Sequence, residues 1–260
     1  MYTIMGIKHF FIWFRKQFPE HIHKLRKHKT FRHIKVGVDH LMIDMNGIIH
    51  EGAQREYEYG NFKRPKRLLA KVSHKPALTL QSQIRVFKHV CETVDRIFNT
   101  VKPAKTLVLC IDGVAPVSKQ NQQRQRRFRS AIESTDTMAF DSNSITPGTK
   151  FMAYLSKYID WYIRWKITSD KRWKRVKVVF SDARVPGEGE HKLINYIRRH
   201  GDASDTYCIH GLDADLIMLA LGTHMPNFYL LRDDLYDSSN EFFCINIGGV
   251  YSDLSKLLQW

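Results

Sequence analysis

Six carboxylates lie in four short motifs along the 260-residue chain. The segments LMIDMNGIIH, CIDGVAP, VPGEGEH and HGLDADLIML contain the acids Asp44, Asp112, Glu188, Glu190, Asp213 and Asp215. Each motif lies where an apolar run ends and a helical pattern begins, which is where parallel α/β sheets place functional groups. Like charges gathered at one edge repel each other unless a cation neutralises them. Because hard oxygen ligands suit Mg²⁺ or Mn²⁺, the motifs predict a divalent metal site.

Each motif also has a purely structural interpretation. Asp44 and Asp112 are typical turn residues, and Asp213 and Asp215 are typical helix N-caps. The two glutamates fall in a first helical turn, where the helix dipole favours acids. Any one motif fits these interpretations well. Four motifs at successive strand ends, two of them with acids at i and i+2, favour the metal site.

Composition narrows the class of partner and the cellular setting. The formal net charge is +15 and the pI is near 9.7, which favours a polyanion such as nucleic acid over a merely solubilising surface. The four cysteines form no CxxC pair, so neither a zinc site nor a disulfide framework is indicated. No run is long enough to span a bilayer, and no signal peptide is evident. We therefore expect an intracellular protein, cytoplasmic or nuclear, without a membrane partner.

Apolar runs and helical periodicity alternate along the chain. Predicted strands are His40–Met45, Thr106–Ile111, Val176–Phe180, Thr206–His210, Phe228–Leu231 and Phe242–Ile247. Predicted helices are His9–Phe18, Thr79–Val101, Ser118–Glu133, Thr149–Ile167 and Val250–Trp260, with two more beginning near Glu188 and Asp213. This alternation predicts one α/β domain over residues 1–260, with a mainly parallel central sheet and helices on both faces.

Three segments carry more specific expectations. The basic, histidine-rich stretch between Phe18 and His40 is predicted to be an exposed connection, and the polar stretch Glu51–Lys75, which has no clear period, a surface excursion. Ser118–Glu133 has almost no apolar face at its start, which predicts a helix that faces solvent or a ligand. The aromatic stripe from Tyr154 to Trp165 is predicted to pack into the core rather than to form a platform for base stacking.

Longer segments around the motifs resemble a known family. In order, MGIKHFFIWFRKQFP, LMIDMNGIIH, IDGVAPVSKQNQQRQRRFR, FDSNSITPGTKFM, VPGEGEHKLINYIR and GLDADLIMLAL resemble the signatures of the XRN family of 5′→3′ exoribonucleases. The resemblance extends from Met5 to about Leu258. It implies a PIN/flap-nuclease-like α/β fold and metal-dependent hydrolysis of single-stranded RNA that bears a 5′-monophosphate.

The resemblance also assigns residues. It implies that the six acids ligate two divalent ions, Mg²⁺ or Mn²⁺, and that His50 stacks on a base. The implied pocket for the 5′-monophosphate consists of Lys119, Gln123, Arg126 and Arg127. Their spacing of three or four residues places them on one helical face, and guanidinium groups bind phosphate bidentately. A solvated charge run is the alternative. We expect His191 to orient a ligand rather than to act as a general base.

The family pattern continues beyond what the sequence contains. The resemblance implies a further acidic motif, with another metal-ligating aspartate, and an aromatic partner for the stacking histidine; neither has a match in residues 1–260. The chain is therefore expected to be a fragment, a minimal nuclease or a member kept for binding. We interpret it as a 5′→3′ exoribonuclease. The alternatives are a catalytically weak RNA-binding or scaffold protein and a flap-endonuclease-like DNA nuclease; the KQNQQRQRRFR segment speaks against the latter.

Overall fold

A seven-stranded mixed sheet forms the centre of the structure, a computed structural model that describes residues 10–26, 28–60, 79–133, 140–234 and 240–258. The strands are β1 (Ile22–Arg26), β2 (His40–Asp44), β3 (Thr106–Cys110), β4 (Lys177–Ser181), β5 (Tyr207–His210), β6 (Phe228–Asp233) and β7 (Asn240–Asn246). Their order across the sheet is β1-β7-β6-β5-β2-β3-β4. The five strands from β6 to β4 are parallel, and β7 is antiparallel to both of its neighbours.

Helices cover both faces of this sheet. They are α1 (Phe10–Gln17), α2 (Met45–Tyr57), α3 (Leu80–Val101), α4 (Val117–Glu133), α5 (Lys150–Ser169), α6 (Gly189–His200), α7 (Asp215–Leu221) and α8 (Ile247–Leu258). Alternate strand residues point to opposite faces. Leu41 and Ile43 of β2 join a core with α2, α3 and α5, whereas Met42 joins a core with α1, α6, α7 and α8. The predicted α/β architecture is therefore confirmed.

The basic helix α4 stands apart from these layers. None of its described residues belongs to either apolar core. Val117 and Phe128 are exposed at 82% and 63% of their surface. The prediction that this segment faces solvent or a ligand is therefore confirmed. No described helix combines the length and the apolar character that crossing a bilayer requires.

Two segments predicted to be surface connections contain regular structure and buried residues. The stretch between Phe18 and His40 includes β1, and Leu25 and Phe31 in it are buried. The polar stretch begins inside α2, which continues to Tyr57; residues 61–78 lie outside the described residues. The C-terminal half of α2 is difficult to predict from the sequence. Its buried face includes the small or polar residues Gly52, Ala53 and Gln54, so the apolar periodicity is weak.

The prediction that the aromatic stripe of α5 packs into the core is wrong for three of its five residues. Tyr162 is buried, as expected, and so is Phe151. Tyr154, Trp161 and Trp165 are each about half exposed, on a neighbouring strip of the helix that faces solvent. Both sets recur at helical spacing, and spacing alone does not tell which set faces the sheet.

Candidate functional site

The four acidic motifs meet at one edge of the parallel sheet. Asp44 is the last residue of β2, and Asp112 follows β3 by two residues. Asp213 follows the neighbouring parallel strand β5 by three residues. The loop after β4 brings Glu188 and Glu190 to the start of α6. The edge is the one predicted from the strand pattern, because parallel strands end on the same side.

Asn46 joins the first two motifs. Asp44 Oδ1 accepts hydrogen bonds from the backbone N of Asn46 at 3.2 Å and from Asn46 Nδ2 at 3.0 Å. Asn46 Oδ1 in turn accepts a hydrogen bond from the backbone N of Asp112 at 3.1 Å. Asn46 lies in the first turn of α2, not in a turn that ends the strand. The sequence analysis missed this role; the position of Asn46 after Asp44 in DMNG was the available signal.

Gly189 brings the third motif against the first two. Its backbone N donates a hydrogen bond to Asp112 Oδ1 at 2.6 Å. A Cβ atom at this position would lie only 2.7 Å from Asp44 Oδ1, so any side chain would push the acids apart. The absence of a side chain therefore allows the N-terminus of α6 to approach both aspartates.

Lys192 fixes α6 from the other side. Its Nζ donates hydrogen bonds to the carbonyl oxygens of Ile111 at 2.8 Å and Asp182 at 3.0 Å. Burial lowers the pKa of Lys192. These contacts link the end of β3 with the loop after β4. Sequence reasoning missed them because the carbonyl partners carry no residue-specific signal.

Burial and mutual repulsion raise the pKa values of three acids in the cluster. Burial raises the pKa of Asp44 well above its usual range, and the charge of Asp112 adds to the effect. Burial likewise raises the pKa of Asp112, against the opposing hydrogen bonds from Gly189 and Asn46. For Glu190, burial and then the charge of Asp213 raise the pKa to about 7.

Repulsion between carboxylates links all four acidic motifs. The charges of Glu190 and Asp213 act on Asp44, and Asp215, the first residue of α7, acts on Glu190. Glu190 Oε2 is buried and has no hydrogen-bond partner among the described residues. A buried carboxylate oxygen without a donor is strongly disfavoured in its charged form. A divalent cation would relieve both the repulsion and the missing contact, so these residues fit such an ion.

Glu188, Glu190 and His191 form the tightest group of potential metal ligands at this edge. Each offers a ligand atom, and these atoms lie within 4.8 Å of one another. His191 Nε2 is 3.5 Å from Glu188 Oε2 and 3.9 Å from Glu190 Oε1. Its place beside both glutamates is consistent with the expected role of orienting a ligand, which stays a prediction.

The basic helix α4 reaches the cluster through Lys119. Its Nζ lies 2.6 Å from the buried Glu188 Oε2. Although burial acts to lower the pKa of Lys119, the hydrogen bond and charge of Glu188 raise it. One turn further, Gln123 Oε1 accepts a hydrogen bond from Arg127 Nη2 at 3.3 Å. The Arg126 side chain lies outside the described part of the structure. His50 lies partly buried on α2, and its stacking role stays a prediction.

Known sequences resemble this chain over most of its length. A family profile described as "XRN 5'-3' exonuclease N-terminus" matches residues 5–234. The 5'-3' exoribonuclease 1 of Saccharomyces cerevisiae is 41% identical over 216 residues, which cover 76% of this chain and 13% of that protein. The 5'-3' exoribonuclease 2 of Gallus gallus is 37% identical over 273 residues, covering 88% and 27%. The human 5'-3' exoribonuclease 1 is 35% identical over 250 residues, covering 89% and 13%. The chain thus spans about a quarter or less of these relatives.

Proposed function

Because this chain belongs to the XRN 5′-3′ exonuclease family, we propose that it is a nuclease domain that hydrolyses single-stranded RNA from the 5′ end with the help of divalent metal ions. The observation that carries the proposal is the cluster of six acids at one edge of the sheet: the pKa values of Asp44, Asp112 and Glu190 are raised, and one buried oxygen of Glu190 has no described partner. The relatives named above are 5'-3' exoribonucleases.

The acids of the four motifs would hold the metal ions, Mg²⁺ or Mn²⁺. Ions held there would supply the Lewis acidity that activates a water molecule for attack on a phosphodiester and stabilises the leaving oxygen. The protein's own contribution is to keep the carboxylates in place: Asn46 holds Asp44 and Asp112, and Gly189 allows α6 to approach them. Lys192 anchors the same helix to the backbone after two strands, so these contacts position the carboxylates before substrate arrives.

Helix α4 would read the 5′-monophosphate of the RNA. Gln123 and Arg127 lie one turn apart, and Lys119 lies one turn before Gln123 on the same face. An arginine fork and a lysine ammonium are suited to a terminal phosphate. Since Lys119 also contacts Glu188, a phosphate bound on this helix lies next to the acidic cluster. This placement would present the first phosphodiester bond of the RNA to the metal ions.

The proposal is tested with end-labelled RNAs that carry a 5′-monophosphate, 5′-hydroxyl or 5′-triphosphate, incubated with the protein and Mg²⁺ or Mn²⁺. We expect mononucleotides to be released from the monophosphate form. Lys119→Gln should lower kcat/KM for that form by about 10- to 100-fold, the effect of losing one hydrogen bond to a charged group. Arg124→Gln, an exposed residue of the same helix, is the matched control.

Two other outcomes would replace the proposal. If RNA is bound but stays intact, and Asp213→Ala changes neither binding nor products, the protein is an RNA-binding or scaffold protein. Cleavage at branched DNA junctions, with RNA left intact, would identify a flap-endonuclease-like enzyme.

A further inference from the structure

Helix α5 presents a stripe of aromatic rings to solvent. Tyr154, Trp161 and Trp165 are exposed at 49%, 55% and 50% of their surface. They follow one another at i, i+7 and i+11, so they share one helical face about 16 Å long. Rings of this size ordinarily bury most of their surface, so three of them half exposed on one helix indicate a contact surface.

The rings are ordered rather than merely exposed. The planes of Trp161 and Trp165 differ by only 9°, and their centroids are 6.3 Å apart. The Tyr158 ring lies 5.4 Å from Trp161 and packs behind the stripe against the buried Phe87, at 5.7 Å. The packed rings beneath therefore hold two nearly parallel indole faces at the surface. Flat rings fixed in this way are suited to stacking with other flat groups.

The charges around the stripe favour an anionic occupant. The exposed face of α5 carries Lys150, Lys157 and Arg164, and its single acid, Asp160, pairs with Arg164 at 2.9 Å. Lys166 is buried and belongs to the core. The exposed face is thus net positive, in a chain whose formal charge is +15. Aromatic rings between cations are the combination that binds single-stranded nucleic acid, through stacked bases and paired phosphates.

The stripe leads away from the acidic cluster. The N-terminus of α5 follows the short turn Ser142–Ser144, which packs against the basic helix α4. Its C-terminus lies beside Trp173, just before β4 begins at the edge opposite the acids. We propose that Tyr154, Trp161 and Trp165 form a stacking surface for single-stranded RNA, separate from the acidic site. Because stacking accepts any base, this surface would bind RNA without sequence preference.

Binding without catalysis tests the stacking surface directly. A labelled RNA of roughly 20 nucleotides exceeds the sites of about 4–16 nucleotides that single-strand-binding folds occupy. It carries a 5′-hydroxyl and is titrated with the protein in EDTA. We expect Trp161→Leu/Trp165→Leu to raise the Kd by about 10- to 100-fold, since each stacked ring contributes up to about tenfold. The variant Trp161→Phe/Trp165→Phe keeps flat rings and should bind within a few fold of the wild type.

Trp13→Leu is the matched control. Trp13 is 51% exposed on α1, which covers the other face of the sheet, so its loss should leave the Kd unchanged. Tryptophan fluorescence gives a second readout: RNA should quench the wild-type emission, and most of this quenching should be absent in the double leucine variant. Equal thermal unfolding of all variants shows that the exposed substitutions leave the fold intact.

Several results would overturn the stacking surface. One is a double leucine variant that binds RNA as tightly as the wild type. Another is an equal loss of affinity for heparin, which has charge but no bases. A third is self-association of the wild type that the leucine variant abolishes, because a second copy of the chain would then be the occupant. The titration needs neither a 5′-phosphate nor a metal ion, so it succeeds or fails independently of the proposed nuclease activity.

Discussion

Asp233 and Glu190 are both largely buried carboxylates near the same edge of the sheet, and their surroundings shift their pKa values in opposite directions. Asp233 ends β6 and belongs to a paired network of His210, Asp233, Arg96 and Glu241. Although burial acts to raise the pKa of Asp233, His210 at 2.9 Å and Arg96 at 3.0 Å outweigh it and lower the pKa to about 2. Burial and neighbouring acids raise the pKa of Glu190 to about 7.

The difference lies in whether the protein itself supplies a charged partner for the buried carboxylate. In the paired network, the fold itself supplies the positive charges, so the carboxylate is ionised and stabilising. In the acidic cluster, Lys119 neutralises Glu188, while Glu190 keeps an oxygen without a described partner. Leaving charges buried without compensation destabilises a fold, and it persists where a function requires it. The lack of a protein partner for Glu190 is the physical argument for a cation bound from solution at the acidic cluster.

The largest expected effect is on hydrolysis. Asp44→Asn should lower the rate on 5′-monophosphorylated RNA by on the order of 10³ or more, because removing one group from a concerted site loses most of its effect. Asp233→Asn changes an equally buried acid that the paired network holds, and it should keep most of the activity. Single-turnover rates with folded protein measure both. Equal losses in the two variants would contradict the distinction between the regions.

Metal binding should stabilise the fold through the acidic cluster alone. At a Mg²⁺ concentration of about 100 times the Kd, the free energy of unfolding should rise by about 2.7 kcal/mol. Urea unfolding at pH 8 with Mg²⁺ or EDTA measures the increase. Asp44→Asn should lose most of it and Asp233→Asn none, and the same increase in all three proteins would place the ion elsewhere.

Breaking the paired network should affect stability rather than metal binding. Arg96→Met leaves Asp233 and Glu241 without their shared cation, and it should lower the free energy of unfolding at pH 7 by about 2 kcal/mol, less than for a fully buried pair. Because the pKa of Asp233 is lowered, its contribution exists above pH 4 or so and is lost as the pH falls towards about 2. Urea titrations at several pH values should show a smaller acid-induced loss in the variant. Identical curves would mean that the network does not stabilise the fold.

The smallest expected effect is on the pH dependence of the free energy of unfolding at the acidic cluster, which is opposite in sign to that of Asp233. Because the pKa of Glu190 is raised, the folded state holds its proton between pH 4.5 and about 7, and the free energy of unfolding falls as the pH rises through this window. In EDTA, Glu190→Gln should reduce this fall by about 1–2 kcal/mol. Glu241→Gln is a control in the paired network and should not reduce it.

The sequence predicted the strands of the parallel sheet and the meeting point of the acids because both depend on local patterns. Asp44 and Asp112 each lie at or just after the end of an apolar run, and parallel strands bring such ends to the same edge of the sheet. Strand β1 was missed because only Leu25 of its five residues is buried and its partner strand lies near the other end of the chain. Pairing between distant segments leaves no trace in local periodicity.

The contacts that make the cluster a site were also beyond a local pattern. Lys192 and Asn46 act on backbone groups of residues far away along the chain, and an ordinary helical lysine or asparagine would look the same in the sequence. The aromatic residues of α5 show a second limit of prediction from local sequence patterns. Their spacing identified the helix correctly, but the exposure of Trp161 and Trp165 depends on which side of the helix packs on the sheet.

Among the described strands, β1 lies at the edge of the sheet and pairs with β7 alone, with Ile22 opposite Ile245. A ribosome releases the first of these strands long before the second, with almost the whole described chain between them. Until β7 emerges, β1 has no neighbour in the sheet, and Leu25 lacks its final packing. Such long-range pairing closes slowly, and uncovered strands invite aggregation during synthesis. The presence of chaperones during synthesis should therefore raise the yield of folded protein.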